Sequence, residues 1–173
     1  LSGDTVYRFG PGWGHDSLAD FGAAQSTDTL EFRGGITPSQ LTLRRLASGG
    51  DYPGNTLSVS PHLEVRAGSD SIQVPNHDLA VHAIEQLRFV DASGAVTETW
   101  DAARIAAEML RPTVGDDVIV GTAGAETLAG DAGNDTLIGG PGGALFFYDA
   151  GPVGAGTDVF DGGAGSDLLI GGY

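Results

Sequence analysis

The sequence predicts an all-β chain: a parallel β-roll over residues 112–173, next to a small, mostly antiparallel β-sheet domain with one helix over residues 1–111. Three observations carry this. Residues 112–147 divide into four consecutive nine-residue words, PTVGDDVIV, GTAGAETLA, GDAGNDTLI and GGPGGALFF, and after YDAGP come two more, VGAGTDVFD and GGAGSDLLI. Residues 27–98 instead run as short stretches of apolar alternation broken by Gly, Pro, Asn and Asp, the pattern of half-buried strands. A single amphipathic stretch, TWDAARIAAEML, supplies the helix.

The words fit the pattern GGxGxDxUx, where U is a large apolar residue, and a repeat of this length and composition is the signature of a calcium-binding parallel β-roll. Glycines early in each word let the backbone bend tightly, where β-branched residues would be strained. Ile119, Leu128, Leu137, Phe160 and Leu169 recur at one position, so stacked short strands would point one apolar stripe inward. Acids recur nine residues apart at Asp117, Glu126 and Asp135, and again at Asp158 and Asp167. Two words make one coil. With YDAGP looped out, Asp117, Asp135 and Asp158 share one edge, and Glu126, Ala144 and Asp167 share the other. Carboxylates stacked in this way repel unless a cation lies between them. Oxygen donors in a tolerant geometry favour calcium over magnesium or zinc.

These words resemble the repeats-in-toxin (RTX) nonapeptides of bacterial proteins secreted by the type I route. The resemblance implies several bound calcium ions, with Asp117, Asp135, Asp158 and Asp167 as side-chain ligands and with Glu126 and Asp16 as further acids. It implies turn carbonyls from Gly130, Ala132, Asn134, Gly139, Gly162 and Ala164. The family pattern expects Asp where this chain has Ala144, so the first edge is expected to hold the better sites. The order of features from GDTVYRFG through SDSIQV to IEQLRFVDASGAVT is similar to the haemolysin-type calcium-binding related domain that accompanies such repeats, over residues 3 to 108.

Composition bounds the rest. The 173 residues suit one domain or two small ones, and 40% hydrophobic content allows a modest core. A formal net charge of -15 leaves no basic patch to neutralise phosphates, which argues against nucleic acid as a partner. All eight basic residues are Arg, so any lysine acylation site lies elsewhere in the parent protein. Without Cys, neither disulfides nor thiolate metal sites are available. The chain opens on LSGD and closes on IGGY, and it reads as a piece of a longer repetitive protein.

In SGDTVYRFGPGWGHDSLADFG, Asp4 and Asp16 are each expected in a turn followed by an apolar residue, Val6 or Leu18, like the last coil of an upstream roll. Tyr7, Phe9 and Trp13 would cover its open end. GHDSLADFG has a superficial likeness to the GDSL block of serine hydrolases, with Ser17 as nucleophile. His15 breaks the match, Asp78 and His82 are one residue too far apart for the DxxH element, and no GxSxG elbow exists. His77 and His82 are five apart, wrong for one helix face, and His62 sits in an alternating strand. No catalytic constellation emerges, and the chain reads as a non-enzyme.

TDTLEF, LTLRRL, TLSVS, HLEVR, DSIQV and AIEQLRFV are the expected strands, ITPSQL a helical turn and residues 45–55 a loop. In residues 99–110, Thr99 is the expected helix cap, Asp101 lies in the first turn, and Ala102, Ile105, Ala106 and Met109 form the apolar stripe. Pro112 ends the helix.

The function these features imply is a monomeric, calcium-triggered folding module of a secreted, extracellular bacterial protein. It would be unfolded in low-calcium cytosol, pass the type I secretion channel as part of its parent protein, and fold outside. The alternative is a ligand- or glycan-binding module of an adhesin or of a polysaccharide-modifying enzyme, directed at a cell surface, with Tyr52, Trp100, Arg44 and Arg45 lining a groove.

Overall fold

The computed structural model describes residues 3–18, 26–46, 62–75, 77, 83–148 and 156–171. The chain forms two compact units, one of residues 1–51 and 56–109, the other of residues 52–55 and 110–173. Among the described residues, no helix is long and apolar enough to cross a membrane.

The first unit contains β1 (Val6–Phe9), β2 (His15–Ser17), β3 (Thr29–Phe32), β4 (Thr42–Leu46), β5 (His62–Ala67), β6 (Asp70–Val74), β7 (Gln86–Val90), β8 (Val96–Asp101) and α1 (Ala102–Met109). A 3-10 turn at Pro38–Gln40 precedes β4, with the Gln40 side chain accepting the Thr37 N–H at 2.7 Å. Two four-stranded sheets result, in the orders β1-β3-β7-β8 and β2-β6-β5-β4. The expected strand at residues 56–60 and most of the expected loop lie outside the described residues.

The sheets are mixed, which corrects the expectation of a mostly antiparallel domain. β1–β3, β3–β7 and β2–β6 pair parallel, whereas β4–β5, β5–β6 and β7–β8 pair antiparallel. Apolar alternation fixes which face of a strand is buried, not which way its neighbour runs. Antiparallel partners β5–β6 and β7–β8 are joined by turns at Gly68 and Gly94, both with positive φ. The parallel partners are distant in sequence, as Val6 against Thr29 and His15 against Ser71 show.

One core joins both sheets and the helix. Leu30, Leu63, Val65, Ile72, Val74 and Leu87 are fully enclosed, and Ile105 and Met109 of α1 complete the cluster. A chain of rings, Trp13–Phe32–Phe89–Trp100, runs through it at centroid spacings of 5.6, 5.6 and 5.3 Å. Phe9 is buried in this same core, with Tyr7 and Trp13 packed against it. The aromatic strand thus completes its own unit, where the sequence placed it over the end of a neighbouring roll.

The helix begins later than expected. Thr99 lies within β8, opposite Arg88, and Asp101 is the cap, its carboxylate accepting the Arg104 N–H at 2.8 Å. Pairing of β8 with β7 and burial of Trp100 hold residues 96–101 extended, which outweighs their local helix signals. Ile105 and Met109 are buried and Ala106 packs on the core, but Ala102 is exposed.

The second unit contains β9 (Val118–Val120), β10 (Glu126–Ala129), β11 (Thr136–Ile138), β12 (Ala144–Tyr148), β13 (Val159–Asp161) and β14 (Leu168–Gly171). Alternate strands pair in parallel, giving one sheet of β9, β11 and β13 and another of β10, β12 and β14. Partners lie 18 residues apart in Val118–Thr136 and 23 apart in Thr136–Val159, so five residues beyond two words are taken up between β12 and β13. Ile119, Leu128 and Leu137 are buried as expected and Phe160 is partly so, but Leu169, on the outermost of the described strands, is 53% exposed. Phe146, absent from the expected stripe, fills the same position between Leu128 and Leu169.

His77 is a core residue of the first unit. Its Nδ1 accepts the Ile84 N–H at 3.1 Å, and burial, helped by the Arg45 guanidinium, pushes its pKa down to about 4. A histidine kept neutral in the folded state stabilises fully above its unfolded value of 6.5 and loses that contribution as pH falls toward 4. We expect the first unit to lose on the order of 3 kcal/mol from this group across that window. Unfolding curves at pH 7 and pH 4.5 should show a smaller pH effect in His77→Gln than in the parent chain.

Candidate metal centre

Parallel pairing brings the acids of alternate words into two lines. On one side, Asp117, Asp135 and Asp158 immediately precede the paired residues Val118, Thr136 and Val159. On the other, Glu126 stands opposite Ala144, and Asp167 precedes Leu168, the partner of Leu145.

A repeated hydrogen bond links each line. The Asp117 N–H donates to Asp135 Oδ1 at 2.8 Å, the Asp135 N–H to Asp158 Oδ1 at 2.9 Å, and the Ala144 N–H to Asp167 Oδ1 at 2.8 Å. One carboxylate oxygen therefore holds the backbone of the preceding strand. The second oxygen differs between sites. Asp135 Oδ2 and Glu126 Oε2 are buried and have no hydrogen-bond partner among the described residues. Burial pushes the Asp135 carboxyl above its ordinary value, and the charges of Asp158, Asp117 and Asp116 push it further, against the lowering effect of the Asp117 N–H.

Glycine makes this placement possible. A methyl group at Gly130 would collide with the Asp135 carboxylate, and one at Gly162 would come within 2.6 Å of Asp167 Oδ2. In these two words the glycine at the first position thus leaves room for the word's own acid. Gly130 and Gly139 are buried, Ala132 and Gly162 are partly buried, and Ala164 is exposed. The Gly139 N–H is taken up by the Asp161 carbonyl at 2.7 Å.

Several residues act here that the word pattern left as variable. Asp116 Oδ1 accepts the Asn134 N–H at 2.8 Å, and Asn134 Oδ1 accepts the Thr157 N–H at 2.9 Å. Asn134 thus acts through its side chain, in a second line beside the acids. The legible signal was a polar residue at position five of all three words on this side, Asp116, Asn134 and Thr157. Thr113 and Thr122, at position two of the first two words, donate to the acids that among the described residues accept no N–H from a preceding strand. The Thr113 N–H and hydroxyl donate to Asp117 at 2.6 and 3.0 Å, and the Thr122 hydroxyl donates to Glu126.

Other expected residues stand elsewhere. Asp16 is not in a turn: it lies in the middle of β2, exposed and opposite Ile72, because Gly12 and Gly14 make the bend earlier with positive φ. Trp100 is buried with its indole N–H on Glu98 at 2.6 Å, and Arg45 is buried, so neither lines an open groove. Tyr52 lies outside the described residues, as do Asp78 and His82. Ser17 is on β2, and His15 Nδ1 lies 2.8 Å from Ser71 Oγ.

The residues fit calcium. Among the described residues two buried carboxylate oxygens, the ligand type calcium prefers, have no hydrogen-bond partner, and Arg111 is the one basic residue against nine acids in residues 110–173. Among the described residues, no three Asp, Glu, His or Cys side chains gather into a cage. An ion held here would take Asp135 and its neighbours in line as carboxylate ligands and fill its shell from turn carbonyls.

Residues 113–143 and 153–173 match the RTX calcium-binding nonapeptide repeat family, in four copies. The chain therefore carries RTX-type calcium-binding repeats, which bind calcium, and four copies imply several ions. No curated protein matches the chain.

Asp135→Asn keeps an oxygen for the Asp117 N–H but removes the charge. Calcium titration by calorimetry should show at least a tenfold loss of affinity, roughly the contribution of one charged ligand, with no loss of strand content in chelator.

Proposed function

We propose that residues 112–173 coil as a parallel β-roll that takes up calcium in its turns and folds only when calcium is bound. The observation that carries this is Asp135, with one oxygen spent on the neighbouring strand, the other buried and without a donor among the described residues, and burial and three further carboxylates raising its pKa. Without a cation these charges oppose the stacking that the backbone bonds require. Ordering a glycine-rich segment also costs more backbone entropy than ordering most sequences. Binding free energy from calcium offsets both, so it becomes folding free energy.

The ligands in this reading are Asp117, Asp135, Asp158, Asp167 and Glu126, with carbonyls of Gly130, Ala132, Asn134, Gly139, Gly162 and Ala164. Extracellular calcium modules bind at about 10⁻⁴ to 10⁻³ M, so such a block stays unfolded at cytosolic calcium and folds outside the cell. This suits a non-catalytic, monomeric module of a type I secreted bacterial protein of the toxin or haemolysin type, threaded unfolded through its secretion channel.

Circular dichroism of the chain tests it. Strand signal from the repeat block should be missing in excess chelator and should appear cooperatively with millimolar calcium. Full strand content in chelator would overturn the proposal.

Ala144 breaks the second line of acids, leaving the Glu126 N–H without the carboxylate that Asp117 and Asp135 find in the next strand. Ala144→Asp should add a bound ion by equilibrium dialysis and move the folding midpoint to lower calcium, by roughly threefold or more.

A further inference from the structure

The first unit, which lies outside the matched repeats, carries the same hydrogen-bond arrangement as the repeat block. Asp135 and Asp158 lie 23 residues apart and are joined by three bonds: Asp135 N–H to Asp158 Oδ1 at 2.9 Å, Val159 N–H to the Asp135 carbonyl at 2.8 Å, and Thr157 N–H to Asn134 Oδ1 at 2.9 Å. Thr5 and Asp28, also 23 residues apart, repeat all three. The Thr5 N–H donates to Asp28 Oδ1 at 2.7 Å, the Thr29 N–H to the Thr5 carbonyl at 2.8 Å, and the Thr27 N–H to Asp4 Oδ1 at 2.8 Å. The line then continues, since the Asp28 N–H donates to Glu85 Oε2 at 2.7 Å. STDTL at residues 26–30 is the counterpart of GTDVF at residues 156–160.

The difference lies in what fills the acids. Ser26, where the repeat word has Gly156, donates its hydroxyl to Asp28 Oδ2 at 2.9 Å, so both oxygens of this buried carboxylate are satisfied by the protein. On β6, Asp70 accepts the Gly12 N–H at 2.9 Å and the Gly14 N–H at 3.2 Å. On one side, the positions that face Asp28 and Asp70 across the strands are the neutral Thr5 and Gly14, and on the other side Asp28 faces Glu85. Seven of the eight arginines are in residues 1–109, and three of them, Arg8, Arg33 and Arg88, surround the buried carboxylate of Glu31.

We infer that the first unit is a metal-independent version of the repeat architecture, in which Asp28 and Asp70 occupy the ligand positions and hydroxyl, amide and guanidinium donors replace calcium. It folds in the absence of the ion, whether or not the repeat block does. This rests on the hydrogen-bond geometry of residues 4–29 and 70 and holds independently of calcium-triggered folding in the repeats.

Amide hydrogen exchange of the full chain, read by mass spectrometry in excess chelator and in millimolar calcium, tests it. In chelator, Val6–Phe9, Thr29–Phe32, His62–Ala67 and Gln86–Val90 should be protected at least a hundredfold over unfolded rates, and calcium should change this little. Asp28→Ala should speed exchange in β1 and β3 at least tenfold, Asp28→Asn, which keeps an oxygen for the Thr5 N–H, should restore most of the protection, and neither should alter the number of ions bound. Asp70→Ala gives the same test on β2 if Asp28→Ala fails to fold. Unprotected first-unit strands in chelator would overturn the inference, as would an Asp28→Ala chain that exchanges like the parent. Protection of both units in chelator would uphold it and overturn calcium-triggered folding instead.

Discussion

A carboxylate that accepts the backbone N–H of the preceding strand is the interaction on which both units depend. It fastens parallel neighbours at the turn, where the sheet ladder has ended and an amide would otherwise be left unpaired. Charge-assisted bonds of this kind are stronger than neutral ones. Their cost is that every added strand brings another negative charge to the same line, and the line becomes self-repelling as it grows.

The two units meet that cost with different chemistry. In the first, hydroxyls, amides and arginines take the second carboxylate oxygens and the excess charge, and Glu31 shows the result. Burial alone pushes its pKa up, but Arg33 and Arg8 outweigh burial and hold it below the ordinary carboxylate value. In the repeat block, glycine stands where Ser26 stands in the first unit, and almost no cation is available from the chain. Asp135 is accordingly pushed the other way. A single backbone plan thus appears in two forms, with protein donors supplied to the carboxylates in the first unit and with glycine in the place of Ser26 in the repeats.

The caps follow from the same rule. Thr113 and Thr122 donate to the acids of the first two words, which among the described residues accept no N–H from a preceding strand. At the other end, Leu168, Leu169 and Ile170 are left exposed on the last strand.

The nine-residue period by itself determined that alternate words would align and which acids would share a side, because a period carries its own register once the turns are glycine-rich. It determined the burial of Ile119, Leu128 and Leu137, but not that of Phe146 or the exposure of Leu169. Direction of pairing in the first unit was decided only by tertiary structure, since parallel contacts such as Val6–Thr29 and His15–Ser71 join segments whose alternation is the same in either orientation. Trp100 was likewise assigned by its neighbours: local signals favoured a helix over residues 99–101, and pairing with β7 made them strand. The likeness of Asp28 to Asp158 was written in STDTL and GTDVF, yet five residues are too few to distinguish from chance. Only the shared hydrogen bonds, which depend on two distant strands being brought side by side, give the likeness a physical meaning.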